Sequence, residues 1–191
     1  MEERVISELG IEMSYTINHF GHFYLTYLLF DSIKKAKEGR VINLSSGGHF
    51  YTSDDLLDDL TWEKNWSSLS VYLNSKMLNV LFTVGLKNLL EKKNYQSIKT
   101  ACLNPGGVDT GAEQGCCAKF FMCLCCCLFV DTETGAKTSL HLSQIPLEEI
   151  KSGEYYDNDR CVKEMDKKGR DMELVRKLWE MSEKAYGIKF N

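Results

Sequence analysis

Two short apolar runs constrain this chain most. Arg40-Val41-Ile42-Asn43-Leu44-Ser45-Ser46 runs into Gly47-Gly48, and Ile98-Lys99-Thr100-Ala101-Cys102-Leu103-Asn104 runs into Pro105-Gly106-Gly107. Each is apolar or β-branched through its centre and stops at a turn signal, as a strand buried in a parallel sheet does. Between them, residues 70–92 carry Leu73, Met77, Val80, Leu81 and Val84 at helical spacing, so one face of that helix looks to a core. Strand, helix, strand in this order predicts an α/β fold. Open α/β sheets bind ligands outside the carboxyl ends of their strands, which makes the two turn signals candidate site segments.

The remaining pattern fills in the layers. Residues 12–37 read as a long helix, with Gly39 in the position favoured for a C-cap. Residues 50–68 read as a polar loop with a short helix around 53–60. A helix over 132–143 starts at Asp131 or Thr132 as N-cap. A short last strand follows at 153–157, then a terminal amphipathic helix at about 170–186. The length of 191 residues fits one domain. A net charge of −4 and the lack of any basic stripe argue against nucleic-acid partners. The opening Met1–Gly10 is charged and contains no apolar segment of the kind a secretory signal needs.

Chemistry concentrates in Tyr72-Leu73-Asn74-Ser75-Lys76. Positions i and i+4 share a helical face, so the phenol of Tyr72 and the ammonium of Lys76 can converge. A free phenol titrates too high to exchange protons readily at neutral pH, and a neighbouring ammonium favours its ionised form. That is the direction a general acid–base tyrosine requires. Taken alone, the pair equally fits a solvated helix surface. Ser46, at the mouth of the first strand, has a hydroxyl able to donate to a carbonyl oxygen; a serine in a strand-ending turn is the plainer alternative. Gly106 and Gly107 let the backbone approach a ligand closely, or simply end a strand. Asn18 and Gly21 sit inside an apolar helical pattern and suggest a local break. His19 and His22 read as packing or surface.

The order Asn18, Ser46, Tyr72/Lys76, Pro105-Gly106-Gly107-Val108-Asp109-Thr110 resembles the short-chain dehydrogenase/reductase superfamily, and within it the retinol dehydrogenase branch. The matching segments are Asn18-His19-Phe20-Gly21-His22-Phe23-Tyr24-Leu25-Thr26, Asn43 to Ser46, Tyr72 to Leu81, Pro105 to Thr110, Gly135 to Leu140, and Ser152 to Tyr156. The resemblance implies a partial Rossmann-like, doubly wound parallel sheet. It implies an oxidoreductase that interconverts a lipophilic alcohol and its carbonyl compound, such as a retinoid, steroid or fatty aldehyde, with NADP favoured over NAD. It assigns Tyr72 as proton donor and acceptor, and Lys76 to Tyr72 and the nicotinamide ribose. Ser46 falls on the substrate carbonyl, and Asn18 on a water relay leading from Lys76. Pro105, Gly106, Val108 and Thr110 line the nicotinamide end, and no metal is implied. It also allows homo-oligomers and an intracellular location on the cytoplasmic side of an internal membrane.

The family's glycine-rich pyrophosphate turn has no counterpart before Asn18. Residues 1–191 are therefore expected to be a single, truncated domain of the family, leaving the strand at 40–46 on an exposed sheet edge. A catalytically silent binding or scaffold protein, its free edge accepting a partner strand, is the alternative function. Six of the eight cysteines lie at 116, 117, 123, 125, 126 and 127. Their spacing is poor for zinc, and without a secretory signal a disulfide framework is disfavoured. They fit small apolar residues on a hydrophobic segment. Residues 112–130 are expected to form a Cys-rich substrate lid, with peripheral membrane contact through 116–130 and cysteines open to palmitoylation.

Overall fold

The computed structural model describes residues 3–109 and 129–190. The chain enters through a short helix, α1 (Met13–Tyr15), capped by the Glu12 carboxylate, which accepts from the Ser14 and Tyr15 amides. A π-helical turn, Thr16–Phe20, leads directly into α2 (Gly21–Lys35). Strand β1 (Gly39–Leu44) is followed by a 3₁₀ turn at Gly47–Tyr51 and then by the long helix α3 (Ser68–Lys92). Next come β2 (Ile98–Leu103), β3 (Gly107–Val108), β4 (Phe129–Val130) and α4 (Thr132–Gln144). The last part holds β5 (Tyr155–Tyr156), β6 (Val162–Lys163) and α5 (Met172–Tyr186).

The main sheet has the order β1-β2-β5-β6. β1 pairs parallel to β2 with Gly39 opposite Ile98 and Leu44 opposite Leu103, β2 pairs parallel to β5, and β6 closes the edge antiparallel. Alternation along the strands sends side chains to two cores. On one face Val41 and Ile98 meet Phe23 and Phe30 of α2, and Phe82, Leu86 and Leu90 of α3. On the other, Ala101, Leu103 and Tyr156 meet Leu142 of α4, with Leu147 and Ile150. Helices on both faces of a mainly parallel sheet make the fold the expected α/β doubly wound one. α3 is buried on nearly all sides because it lies between the sheet and α5, which packs along it through Val175 and Leu178.

Several local expectations change. Gly39 is not the helix stop: the helix ends at Lys35, Ala36 is its extended C-cap, and Gly39 opens β1. A Cβ on Gly39 would lie 3.0 Å from Ile33 and 3.1 Å from Ile98, so the glycine permits close packing of the turn against β2. Residues 53–60 form turns and no helix, while the helical turn lies earlier, at Gly47–Tyr51. Ser46 starts that turn by accepting the Gly48 amide on its side chain. The break anticipated near Asn18 is a π turn inside an otherwise continuous helix, closed by the Gly21 amide on the Thr16 carbonyl. Two-residue strands β3, β4 and β6 add pairings that no alternation announces.

β1 lies at the sheet edge among the described residues. The Gly39 and Ser45 amides donate inward to Ser97 and Leu103, so by alternation Arg40 and Ile42 turn their backbone groups outward, while the Leu44 carbonyl accepts from Asn79. Leu25, Leu29 and Ile33 of α2 flank that edge in a groove of about 400 Å³. No helix among the described residues is long and apolar enough to cross a membrane.

Candidate active site

Three segments meet at the carboxyl ends of β1 and β2, and hydrogen bonds fix their positions. The first stitches β1 to α3. Ser45 Oγ donates to the Lys76 carbonyl at 2.9 Å, Asn79 Nδ2 donates to the Leu44 carbonyl at 2.9 Å, and Asn43 Nδ2 donates to Thr83 Oγ1 at 2.8 Å. Polar side chains in an apolar helix are costly unless paired; here they set the register of helix against strand. Gly48 packs on Leu73, where a Cβ would meet Leu73 Cδ2 at 2.5 Å. The turn carrying Ser46 is thereby held beside the helix residue that follows Tyr72.

The second segment is the turn of α3 that carries Tyr72 and Lys76. Lys76 Nζ lies over the Tyr72 ring, 5.3 Å from its centroid, a cation–π arrangement. Tyr72 is 42% exposed. Lys76 is half-buried, and desolvation lowers its pKa from the ordinary lysine value. Among the described residues its ammonium has no carboxylate or hydrogen-bond acceptor. Below them, Asn18 Nδ2 donates to Ser75 Oγ at 2.9 Å, and Ser75 Oγ donates to the Tyr72 carbonyl at 2.7 Å. The π turn thus delivers Asn18 to the helix it must reach; a widened helical turn is often found at such places.

The third segment follows β2. The Asn104 amide donates to the Tyr156 carbonyl at 2.9 Å, its side-chain Nδ2 donates to Asp157 Oδ1 at 2.9 Å, and its Oδ1 accepts the Gly106 amide at 3.1 Å. Gly106 has φ +84°, a conformation that favours glycine. Gly47 faces Asn104 Nδ2, 3.6 Å from where its Cβ would be, which joins this loop to the Ser46 turn. Val108, in β3, packs so tightly against Gly135 that any side chain at 135 would collide with it. Thr110 lies outside the described residues, and so does the lid expected at 112–130, its six cysteines included, apart from Phe129 and Val130, which form β4.

The geometry therefore brings Asn18, Ser46, Tyr72, Lys76, Pro105 and Gly106 to one end of the sheet. It adds residues with no role in the sequence reading. Ser75 and Asn79 were visible as polar positions in an apolar helix. His22, one turn after Asn18, has its pKa lowered by burial and by the Lys76 charge, and pulled back up by a hydrogen bond to the Asn18 carbonyl. His49 is fully buried behind Ser46. Cys102 is buried too, its thiol pushed up to about 12 by desolvation, and is inert as a nucleophile.

A half-buried ammonium with no acceptor among the described residues, beside an exposed phenol and a glycine loop, can hold a ligand that carries hydroxyl and amide groups. No family model matches the chain. A curated relative, human retinol dehydrogenase 14, is 33% identical over 187 residues, 95% of this chain and 54% of the relative. The chain spans about half the length of the curated relatives it matches. Among solved structures, an uncharacterized protein from Mycobacterium paratuberculosis superposes with TM-score 0.72 at 22% identity, over 99% of this chain and 64% of that one. The NADPH-bound carbonyl reductase from chicken fatty liver superposes with TM-score 0.53 at 20% identity, over 79% of this chain and 55% of that one. Over the residues it spans, this chain is similar in sequence to retinol dehydrogenases, and in fold to reductases of the short-chain dehydrogenase/reductase type.

Proposed function

We propose that this chain carries the acid–base centre of an oxidoreductase that interconverts a lipophilic alcohol and its carbonyl compound. The placement of the Lys76 ammonium over Tyr72, beside the turn of Ser46, is the observation that carries it. A nicotinamide dinucleotide, NADP or NAD, would supply the hydride in reduction and take it up in oxidation. In reduction, the Tyr72 hydroxyl gives its proton to the carbonyl oxygen; in oxidation, it takes the proton back. Ser46 Oγ already accepts the Gly48 amide, which leaves its own O–H free to donate to the same oxygen. Lys76, over the Tyr72 ring, offers its ammonium to ribose hydroxyls. Asn18, pinned on Ser75, orders a relay from Lys76 to solvent. Pro105, Gly106, Val108 and Thr110 line the nicotinamide end. The names of the relative and of the reductase, retinol dehydrogenase and NADPH-bound carbonyl reductase, support this class of reaction. A lipid-covering lid at 112–130, membrane contact through 116–130, homo-oligomers and a cytoplasmic-side location belong to the same proposal.

Calorimetric titration of the chain with NADPH and with NADH tests it, followed by turnover of a lipophilic aldehyde read as loss of reduced-nicotinamide absorbance. Binding of one form and turnover are expected. A second reading, a non-catalytic binding protein, is favoured by one observation: the outward backbone groups of Arg40 and Ile42 beside an apolar groove, where an extended segment can add as a strand. A folded chain that binds neither nucleotide would replace the first reading with the second.

A further inference from the structure

We propose that His49 is a positioning residue that holds Ser46 in its donating geometry; this rests on the reading of Ser46 given above. His49 is completely buried in the turn after β1. Its Nδ1 lies 2.6 Å from the Ser46 carbonyl oxygen, and its Nε2 lies 3.3 Å from the Asp166 amide nitrogen. A carbonyl can only accept and a backbone amide can only donate, so the proton is on Nδ1 and the lone pair on Nε2. The ring faces are occupied as well, by Phe50 at 4.0 Å and Tyr155 at 4.6 Å between centroids.

This arrangement does more than fill space. The Ser46 carbonyl accepts both the His49 backbone amide, at 3.1 Å, and the His49 ring N–H. The Ser46 side chain accepts the Gly48 amide. One residue is thus held at its carbonyl and at one lone pair of its hydroxyl, and only the hydroxyl proton is left to aim. The far side of the ring is anchored on Asp166, 117 positions along the chain. That loop is fixed in turn by Lys168, whose Nζ donates to the Thr52 carbonyl at 2.9 Å and pairs with Asp54 at 3.1 Å. His49 therefore transfers the rigidity of the C-terminal loop to the turn that presents Ser46.

Two measurements on the full chain test this without requiring turnover. Ring ¹⁵N shifts of the parent should show a fixed Nδ1–H tautomer from about pH 8 to about pH 5; an Nε2–H tautomer, or titration like a free histidine, overturns the proposal. Amide exchange of Gly48 then reports the Ser46 turn. His49→Phe should speed it about tenfold, the equivalent of one net hydrogen bond. His49→Asn, whose amide N–H replaces Nδ1–H, should restore most of the protection. His49→Gln, which reaches only towards Asp166, should not. Unchanged exchange in His49→Phe, or equal rescue by Gln and Asn, makes His49 a packing residue only. If His49→Phe does not fold, the parent ring shifts decide. If both measurements come out as expected and the chain reduces no aldehyde, the role given to Ser46 fails while the positioning by His49 stands.

Discussion

The ammonium of Lys76 lies over the ring of Tyr72, 5.3 Å from its centroid, on consecutive turns of α3. It is held there at a cost. Burial lowers the Lys76 pKa, so the folded state binds that proton less firmly than the unfolded chain does. The penalty is fully present below the folded pKa and is relieved as pH rises from there towards the ordinary lysine value.

Lys76→Met should therefore match or exceed the parent in urea midpoint at pH 7, and lose the parent's gain in stability on the alkaline side, while abolishing turnover. Denaturation curves from pH 7 to about pH 10 check the sign. A variant that is markedly less stable at pH 7 would show that the charge supports the fold.

Acid should weaken the molecule through His19. The ring is fully buried, Nε2 is 2.8 Å from Ser182 Oγ, and among the described residues Nδ1 has no hydrogen-bond partner. Desolvation lowers its pKa to about 3. Stability is then lost as pH falls from about 6.5 towards 3, by about 2 kcal/mol at pH 5 relative to pH 8. His19→Phe should flatten that part of the profile, measured by urea unfolding at both pH values.

Gly85 separates α3 from α5. A Cβ there would approach Trp179 Cε3 to 2.8 Å. The indole cannot swing away easily, because Phe23 and Phe190 each sit 5.2 Å from it between centroids. Alanine gains about 1 kcal/mol of helix propensity but overpacking costs about 1–3 kcal/mol. Gly85→Ala should thus lower Tm by a few degrees; an increase would mean the two helices can part freely.

Asn79 gives a test of the strand–helix stitch. Its Nδ2 donates to the Leu44 carbonyl from a fully buried position. Asn79→Leu should leave that carbonyl with one partner fewer and cost about 1–3 kcal/mol, shown by a lower thermal midpoint. No loss would mean that the register of α3 on β1 depends on apolar contacts alone.

The parts that repeat locally were readable. β1, β2 and α3 announce themselves because their apolar positions recur and their ends carry Gly, Pro or Ser. Asp131 caps α4 as its side chain predicts. Gly39 misled because a glycine after a helix serves equally as a stop or as a close approach, and only Ile98, 59 positions later, decides. The π turn around Asn18 was legible as an irregularity, while its form depends on Ser75 across the helix pair. His49 gave no signal, since its partner Asp166 is distant in sequence and a lone histidine after a strand is ordinary. Spacing made Tyr72 and Lys76 candidates and a strand end made Ser46 one, while the contacts that hold them, from Asn18, Leu73 and His49, carry no local signal.

The most direct test compares the parent chain with Tyr72→Phe in aldehyde turnover under saturating NADPH. The substitution keeps the ring beneath Lys76 and removes only the hydroxyl. Loss of general acid catalysis predicts a fall in kcat of about 10²–10⁴-fold with KM little changed. A Tyr72→Phe protein that turns over at the parental rate would contradict the assignment of the proton to Tyr72.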